Sequence, residues 1–264
     1  MKAINNFISP DHLMFETSIR AFLPRSIIVP FCQADGVEYE CSMSVGDKVR
    51  EGQVIASPKG IISANGACIH SSVPGKIESI VQCSLPNGNL SYAAKINTEG
   101  EFTFLGKKQK SADWNIFSPS TLIEEFKSKG IVNTFGNKPA SLATQIRECT
   151  LKKHRFVIVR MFDEDPSRYT DSFVASHFTD KVVEGAKIVA KAFEAEGLAF
   201  VLPKKCDFTI SDDLIKGDYC VTATADNTKY PAGFIHCLMR AVRKTSKIPE
   251  YEKFNSVNHK CLFL

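Results

Sequence analysis

The sequence lacks any apolar stretch that approaches the roughly 18–20 residues needed for a membrane-spanning helix. It also lacks a run of lysine and arginine, and its net charge of +4 is small for 264 residues, so a nucleic-acid-binding protein is not expected. Residues 1–15 carry no secretory signal, which predicts a cytoplasmic protein. If such a protein works at a membrane, its partners must hold it there.

Motifs for metal and nucleophilic chemistry are missing as well. The nine cysteines are irregularly spaced and contain no CxxC pair, which argues against a zinc ribbon or a local iron–sulfur cluster. The histidines do not form HExxH, and GxSxG, P-loop and GxGxxG motifs do not occur. We therefore predict no catalytic residue and no metal site, and we expect mostly buried thiols in a reducing compartment.

After an N-terminal arm of residues 1–22, the sequence contains a series of short, strand-length apolar runs. Turn residues separate these runs throughout residues 23–110, and this pattern predicts a small all-β module. The turns are Asp35-Gly36, Gly46-Asp47, Asn65-Gly66, Pro74-Gly75 and Asn87-Gly88.

The pattern changes in residues 115–250, where helical and strand patterns alternate. Ser118 and Gly130 delimit a predicted helix as its N-cap and its stop. The run "HRFVIVRMF" is typical of a buried parallel strand, and a single long helix is predicted for residues 171–196. This alternation predicts an α/β layer, followed by a C-terminal tail in residues 251–264. The apolar face of the long helix comprises Val174, Phe178, Val182, Ala186, Val189 and Phe193.

Two segments of the β-module, "VGDKVREGQVIA" and "IHSSVPGKIESI", are typical of biotin and lipoyl carriers. A carrier exposes its modified lysine at a tight turn between two such segments. Lys59 is the lysine in that interval, and its neighbours are Pro58 and Gly60 rather than the Met-Lys-Met or Asp-Lys-Ala of the carriers. We therefore predict the carrier fold without biotin or lipoate.

An acidic turn, "DEDP", follows the predicted buried strand and contains Asp163, Glu164 and Asp165. In open α/β sheets, ligands bind at the carboxyl ends of the strands. The three carboxylates are compatible with a divalent cation, with hydrogen bonds to ribose or flavin hydroxyls, or with capping of the next helix.

A second candidate is "NTKYPAGF", where Tyr230-Pro231 leads into a predicted helix. Exposed backbone amides and the positive end of a helix can bind an anion, and Lys229 could add positive charge. The alternative is an ordinary helix start after a proline.

Taken in order, several segments resemble the RnfC family, which is the C subunit of the membrane-bound ion-pumping ferredoxin:NAD oxidoreductase, and the related A subunit of the sodium-pumping NADH:quinone reductase. The resemblance implies an α/β protein (α+β overall), in which a barrel-sandwich module of the biotinyl/lipoyl type precedes a domain similar to the flavin- and NADH-binding subunit of complex I. The segments are "IIVPFCQADGVEYECSMSVGDKVREGQVIA", "IHSSVPGKIESI", "STLIEEFKSKGIV", the acidic turn, "KVVEGAKIVAKA" and "TKYPAG".

The resemblance also implies FMN and NADH as cofactors. Phosphate would be held by the backbone near Gly136 and by the helix after Pro231, and the carboxylates would bind ribityl or ribose hydroxyls. The cofactor-binding residues that follow from the resemblance are Gly136, Asp163, Asp165, Lys229, Tyr230 and Gly233.

The sequence departs from the family pattern at several places. The glycine-rich loop is reduced to "NTFGNKPAS", which keeps Gly136 alone of four glycines, and Arg160 stands where the family has an asparagine. A non-catalytic scaffold or assembly subunit that has lost flavin and NADH binding therefore stays open as an alternative.

The family's ferredoxin-like domain would follow "NHKCLFL", so we expect no iron–sulfur cluster in this chain. Whether a separate iron–sulfur subunit supplies that domain stays open. The remaining partners implied by the resemblance are the integral membrane subunits of an Rnf- or Nqr-type complex. They would hold the chain at the inner face of the cell membrane, as part of an NAD-linked oxidoreductase rather than as a stand-alone enzyme.

Overall fold

The structure is a computed structural model. It describes residues 22–33, 37–60, 65–99, 112–135, 139–149, 154–165, 168–206, 208–215, 220–227, 231–244 and 259–264. The chain divides into two compact units, a first that comprises Ile19–Glu148 and a second that contains Cys149–Leu264.

The strands of the first unit form two antiparallel sheets that enclose one core. A four-stranded sheet has the order β1-β7-β6-β3, and a three-stranded sheet has the order β2-β4-β5. This arrangement agrees with the predicted barrel-sandwich module. The strands are β1 (Ser26–Pro30), β2 (Glu38–Cys41), β3 (Lys48–Val49), β4 (Val54–Lys59), β5 (Ile69–His70), β6 (Gly75–Ser84) and β7 (Leu90–Thr98).

The core of this module follows from alternation along the strands. Ile77 on β6 and Ile96 on β7 are register partners and are both buried, while Lys76 and Glu78 beside Ile77 are exposed. Ile55 of the second sheet is buried in the same core. Each inward side chain thus removes apolar surface from water, which is the main stabilising contribution in so small a module.

Helix α1 (Pro119–Ser128) begins as the sequence predicts, because the hydroxyl of Ser118 accepts a hydrogen bond from the amide of Thr121. The end of the helix packs on the β-module. The amide of Cys68 donates to the carbonyl of Lys127 at 3.1 Å, and a Cβ added to Gly130 would lie 2.3 Å from the carbonyl oxygen of Cys68. This close approach places α1 in the first unit, whereas the sequence predicted a division between residues 110 and 115.

Two further small elements complete this part of the chain. Strands β8 (Val132–Asn133) and β9 (Ala140–Ser141) pair in an antiparallel hairpin. Helix α2 (Leu142–Cys149) follows at once, and its first turn is capped by the hydroxyl of Ser141, which accepts from the amide of Thr144 at 3.4 Å.

The second unit contains a parallel sheet in the order β12-β11-β10-β13. Every residue of the central strand β11 is buried, as expected for a strand covered on both faces. The elements are β10 (His154–Arg160), α3 (Thr170–His177), α4 (Thr179–Ala192), β11 (Gly197–Pro203), β12 (Cys220–Ala225), α5 (Ile235–Arg243) and β13 (His259–Phe263).

The segment predicted as a C-terminal tail, residues 251–264, contains a strand. Strand β13 pairs in parallel with β10, and the amide of Leu264 donates to the carbonyl of Ile158. The apolar run "CLFL" is too short for its periodicity to reveal a strand, and only its partner β10 defines it.

The prediction of a single long helix in residues 171–196 is wrong in one respect, because the structure has two helices there. The break lies at Phe178, whose φ of −130° and ψ of 33° are not helical. Val174 and Phe178 are 41% and 52% exposed, so they do not share the buried face of α4. That buried face is formed by Val183, Ala186, Val189, Ala190 and Ala192, and it continues into Phe193.

No disulfide joins the nine cysteines, all of which lie in the described residues. Cys149 is buried and the other eight are half-buried, so the thiols are less deeply covered than the sequence analysis predicted. Burial raises the pKa of the Cys220 thiol to about 11, and the positive charge of nearby Lys187 partly offsets this effect. Within the described residues, no helix is both long and apolar enough to cross a membrane.

Gly130→Ala is expected to reduce the free energy of unfolding by roughly 2–4 kcal/mol, from the left-handed φ of +68° and the clash with the carbonyl of Cys68. Gly88→Ala is the matched control, since Gly88 has a φ of +84° but nothing within 4 Å of an added Cβ. Urea denaturation measures both, and the control should lose only about 1 kcal/mol. Equal losses would show that the contact with Cys68 contributes nothing.

Glu194 takes a left-handed conformation with a φ of 49° just after α4, and its carboxylate lies 3.4 Å from Arg155. Glu194→Gly and Glu194→Ala both remove this ion pair, but only glycine relieves the backbone strain. We expect the glycine variant to be more stable than the alanine variant by about 1 kcal/mol, measured by thermal or urea unfolding. A more stable alanine variant would contradict this account of the helix end.

Candidate functional site at the carboxyl edge of the parallel sheet

Three of the six predicted cofactor-binding residues can be placed. Asp163, Asp165 and Gly233 lie in the second unit, whereas Gly136, Lys229 and Tyr230 lie outside the described residues.

The carboxylate of Asp163 caps helix α3. One oxygen accepts a hydrogen bond from the amide of Asp171 at 2.9 Å, and the other accepts from the amide of Ser172 at 3.0 Å. The amide of Asp163 in turn donates to the hydroxyl of Ser172. Tyr169, at the N-cap position, makes no side-chain capping bond, so Asp163 supplies the cap and a negative charge at the positive helix end. Of the three roles left open for the acidic turn, helix capping is the one seen for Asp163.

The acidic turn and the "PAG" segment lie against each other. A Cβ added to Gly233 would lie 2.6 Å from the Cα of Glu164 and 3.2 Å from its carbonyl oxygen. Only glycine permits this approach of two backbones. The two motifs singled out in the sequence, about 70 residues apart, are therefore in direct contact at one edge of the sheet.

Arg160, the last residue of β10, joins these segments. Its side chain is only 7% exposed, and its guanidinium donates from Nη1 to the carbonyl of Gly233 at 3.2 Å and from Nη2 to the carboxylate of Asp171 at 3.1 Å. Glu164 lies 3.6 Å from Nη1. We call this group, Arg160 with Glu164, Asp171 and Gly233, the Arg160 cluster.

Sequence reasoning noted Arg160 as a departure from the family pattern but did not identify it as the residue around which the edge is organised. The one signal available was a charged residue directly after the apolar run "FVIV". A buried strand that ends in arginine requires a partner for that charge, but the sequence does not say which residues supply it.

Asp165 has a simpler place in the turn. Its carbonyl accepts a hydrogen bond from the amide of Arg168 at 2.9 Å, and the residue is half-buried. A role for Asp165 or Asp163 in binding ribityl or ribose hydroxyls stays a prediction.

In the first unit, the loop that the resemblance aligns with a glycine-rich phosphate loop begins in the hairpin β8–β9. Asn133 is buried, and its side-chain oxygen accepts from the amide of Phe135 at 2.9 Å while its side-chain nitrogen donates to Gln145 at 2.9 Å. The amide of Phe135 thus already has an acceptor within the chain.

Two other candidates from the sequence can be located. Lys59 ends β4, and its amine lies 3.3 Å from the carboxylate of Glu40 in an exposed pair. In the part of the chain that the structure describes, no group of three or more His, Cys, Asp or Glu side chains could hold a metal ion.

Comparison with known proteins identifies the β-module. Residues 13–101 match the RnfC barrel sandwich hybrid domain. The chain resembles the C subunit of Rnf complexes. This resemblance, predicted from the motifs, is confirmed over most of the chain, since 74% of it aligns with one curated protein of that kind.

Three relatives illustrate the extent of the similarity. The chain is 24% identical over 200 residues to the C subunit of the proton-translocating ferredoxin:NAD(+) oxidoreductase complex of Clostridium ljungdahlii, a match that covers 43% of that relative. It is 25% identical over 171 residues to the C subunit of the ion-translocating oxidoreductase complex of Pectobacterium carotovorum and 21% identical over 217 residues to that of Klebsiella pneumoniae. These matches cover 64% and 80% of the chain but only 22% and 28% of the relatives. The chain therefore spans less than half the length of each relative.

Asp163→Ala is expected to reduce the free energy of unfolding by about 1–2 kcal/mol, because α3 loses the acceptor for two backbone amides. Asp163→Asn keeps one side-chain oxygen and should lose less. Urea denaturation gives the free energies, and amide hydrogen exchange at Asp171 and Ser172 should accelerate more in the alanine variant. Unchanged exchange at these two amides would contradict the capping role.

Proposed function

We propose that the chain is a peripheral component of an Rnf-type membrane-bound complex that couples electron transfer to ion translocation. The observation that carries this proposal is the match of residues 13–101 to the RnfC barrel sandwich hybrid domain. The continuation of the similarity into the parallel α/β unit supports it, since the alignment with the Clostridium ljungdahlii relative covers 74% of this chain.

In this proposal the chain docks on integral membrane subunits from the inner face of the membrane. The relatives are subunits of ion-translocating complexes, so such partners are the expected ones. Lys59, paired with Glu40, would have no prosthetic group, and the β-module would act as an architectural element rather than a swinging arm.

A second candidate within the same complex is a scaffold or assembly subunit that binds neither flavin nor NADH. The geometry of the carboxyl edge favours this role over an electron-carrying one. Both oxygens of Asp163 accept amides of α3, and Arg160 is held by three groups of the chain itself. The oxidoreductase chemistry would then belong to other subunits.

Affinity purification from membranes tests the proposed function. A tagged chain, expressed at its natural level and isolated in mild detergent, should carry integral membrane subunits with it, and high salt or alkaline buffer should release it from membranes without detergent. An untagged strain is the control for background. Recovery of the chain alone from the soluble fraction, with no membrane subunit bound, would refute the proposal.

A further inference from the structure

The Arg160 cluster lies where a parallel α/β sheet ordinarily binds its ligand, beyond the carboxyl end of β10. It connects three separate segments of the second unit: the acidic turn through Glu164, the start of α3 through Asp171, and the segment before α5 through Gly233. A charged side chain that is 7% exposed must have such partners, because an unpaired buried charge is strongly unfavourable.

The charges at this edge are unsuited to a phosphate. Arg160 contributes one positive charge, while Asp163, Glu164 and Asp171 contribute three negative charges, so these four side chains sum to −2. Both terminal nitrogens of Arg160 are directed to groups of the chain itself, Nη1 to the carbonyl of Gly233 and to Glu164 and Nη2 to Asp171. The net negative charge of these four side chains would repel a dianionic phosphate.

The backbone spacing is also unsuited to a flavin or nicotinamide between the two segments. Even a single added carbon on Gly233 would overlap the backbone of Glu164, at 2.6 Å. An aromatic ring needs ordinary van der Waals separation on both faces, and separations of about 3.5–4.0 Å are the favourable ones between carbon atoms.

We infer that the Arg160 cluster replaces a cofactor at this edge: it holds the acidic turn, α3 and the "PAG" segment together, so that FMN and NADH do not bind there. The inference rests on the proposed function only because the resemblance names FMN and NADH as the expected cofactors. Arg160 is then a positioning residue, whose contacts maintain the fold of the second unit when no nucleotide is bound.

Titration of the purified full chain with FMN and with NADH tests the inference directly. Neither ligand should change its fluorescence saturably up to about 1 mM, and neither should raise the thermal midpoint of the protein. Saturable binding of either ligand that Arg160→Asn weakens or abolishes would overturn the inference, because it would make Arg160 a ligand-binding residue. Binding that Arg160→Asn leaves unchanged but Gly233→Ala abolishes would also overturn the inference, because the ligand would then lie at this edge. Binding that persists in both variants would place the ligand away from the cluster, in agreement with the inference.

Thermal unfolding without nucleotide tests the positioning role. Arg160→Asn should lower the midpoint by on the order of 5 °C or more, since it leaves Glu164 and Asp171 without their shared cation. Arg168→Ala is the matched control, an exposed arginine in the neighbouring turn, and should leave the midpoint nearly unchanged. Equal midpoints for the two variants would contradict the role of Arg160.

If Arg160→Asn does not fold, Asp171→Asn provides the same test from the more exposed partner, whose side chain is 49% exposed. It should lower the midpoint, and high salt should reduce the difference from the wild type, because the pair is electrostatic. A midpoint equal to that of Arg168→Ala would overturn the inference. Failure of co-purification with membrane subunits would refute the proposed function alone, whereas nucleotide binding at the cluster would refute this inference alone.

Discussion

A charged side chain that is only 7% exposed must be paired, and at Arg160 this pairing connects three chain segments. Glu164, Asp171 and the carbonyl of Gly233 provide it from the acidic turn, from α3 and from the segment before α5. The cap that Asp163 gives α3 depends on the same turn. The carboxyl edge of the sheet is therefore defined by contacts within the chain, and this is the physical argument behind the proposed scaffold role.

The first unit depends on a different constraint, the alternation of buried and exposed side chains on its strands. Ile77 and Ile96 face the core as register partners, and Ile55 of the other sheet is buried with them. The carrier-like segments in the sequence encode this architecture through their turns and strand periods, and neither requires a modified lysine. This chain can share its β-module with the biotin and lipoyl carriers without sharing their use of it, because a fold does not determine a function.

Much of the fold could be predicted because its signals are local. The turns of the β-module, the cap at Ser118 and the apolar run of β10 each depend on a few neighbouring residues. The break at Phe178 was missed because apolar residues continue at helical spacing across it. The Arg160 cluster was missed because its contact with Gly233 joins residues 73 positions apart, and local sequence patterns carry no information about such a pair.

The contact of α1 with the β-module bears on how the polypeptide can be dissected. Gly130 lies against the carbonyl of Cys68, and the amide of Cys68 is paired with the carbonyl of Lys127. A recombinant fragment that ended near residue 110, where the all-β pattern stops, would expose this surface and lose the partner of a backbone amide. The compact unit comprises Ile19–Glu148, so α1 and the β8–β9 hairpin belong with the carrier-like module as an added layer.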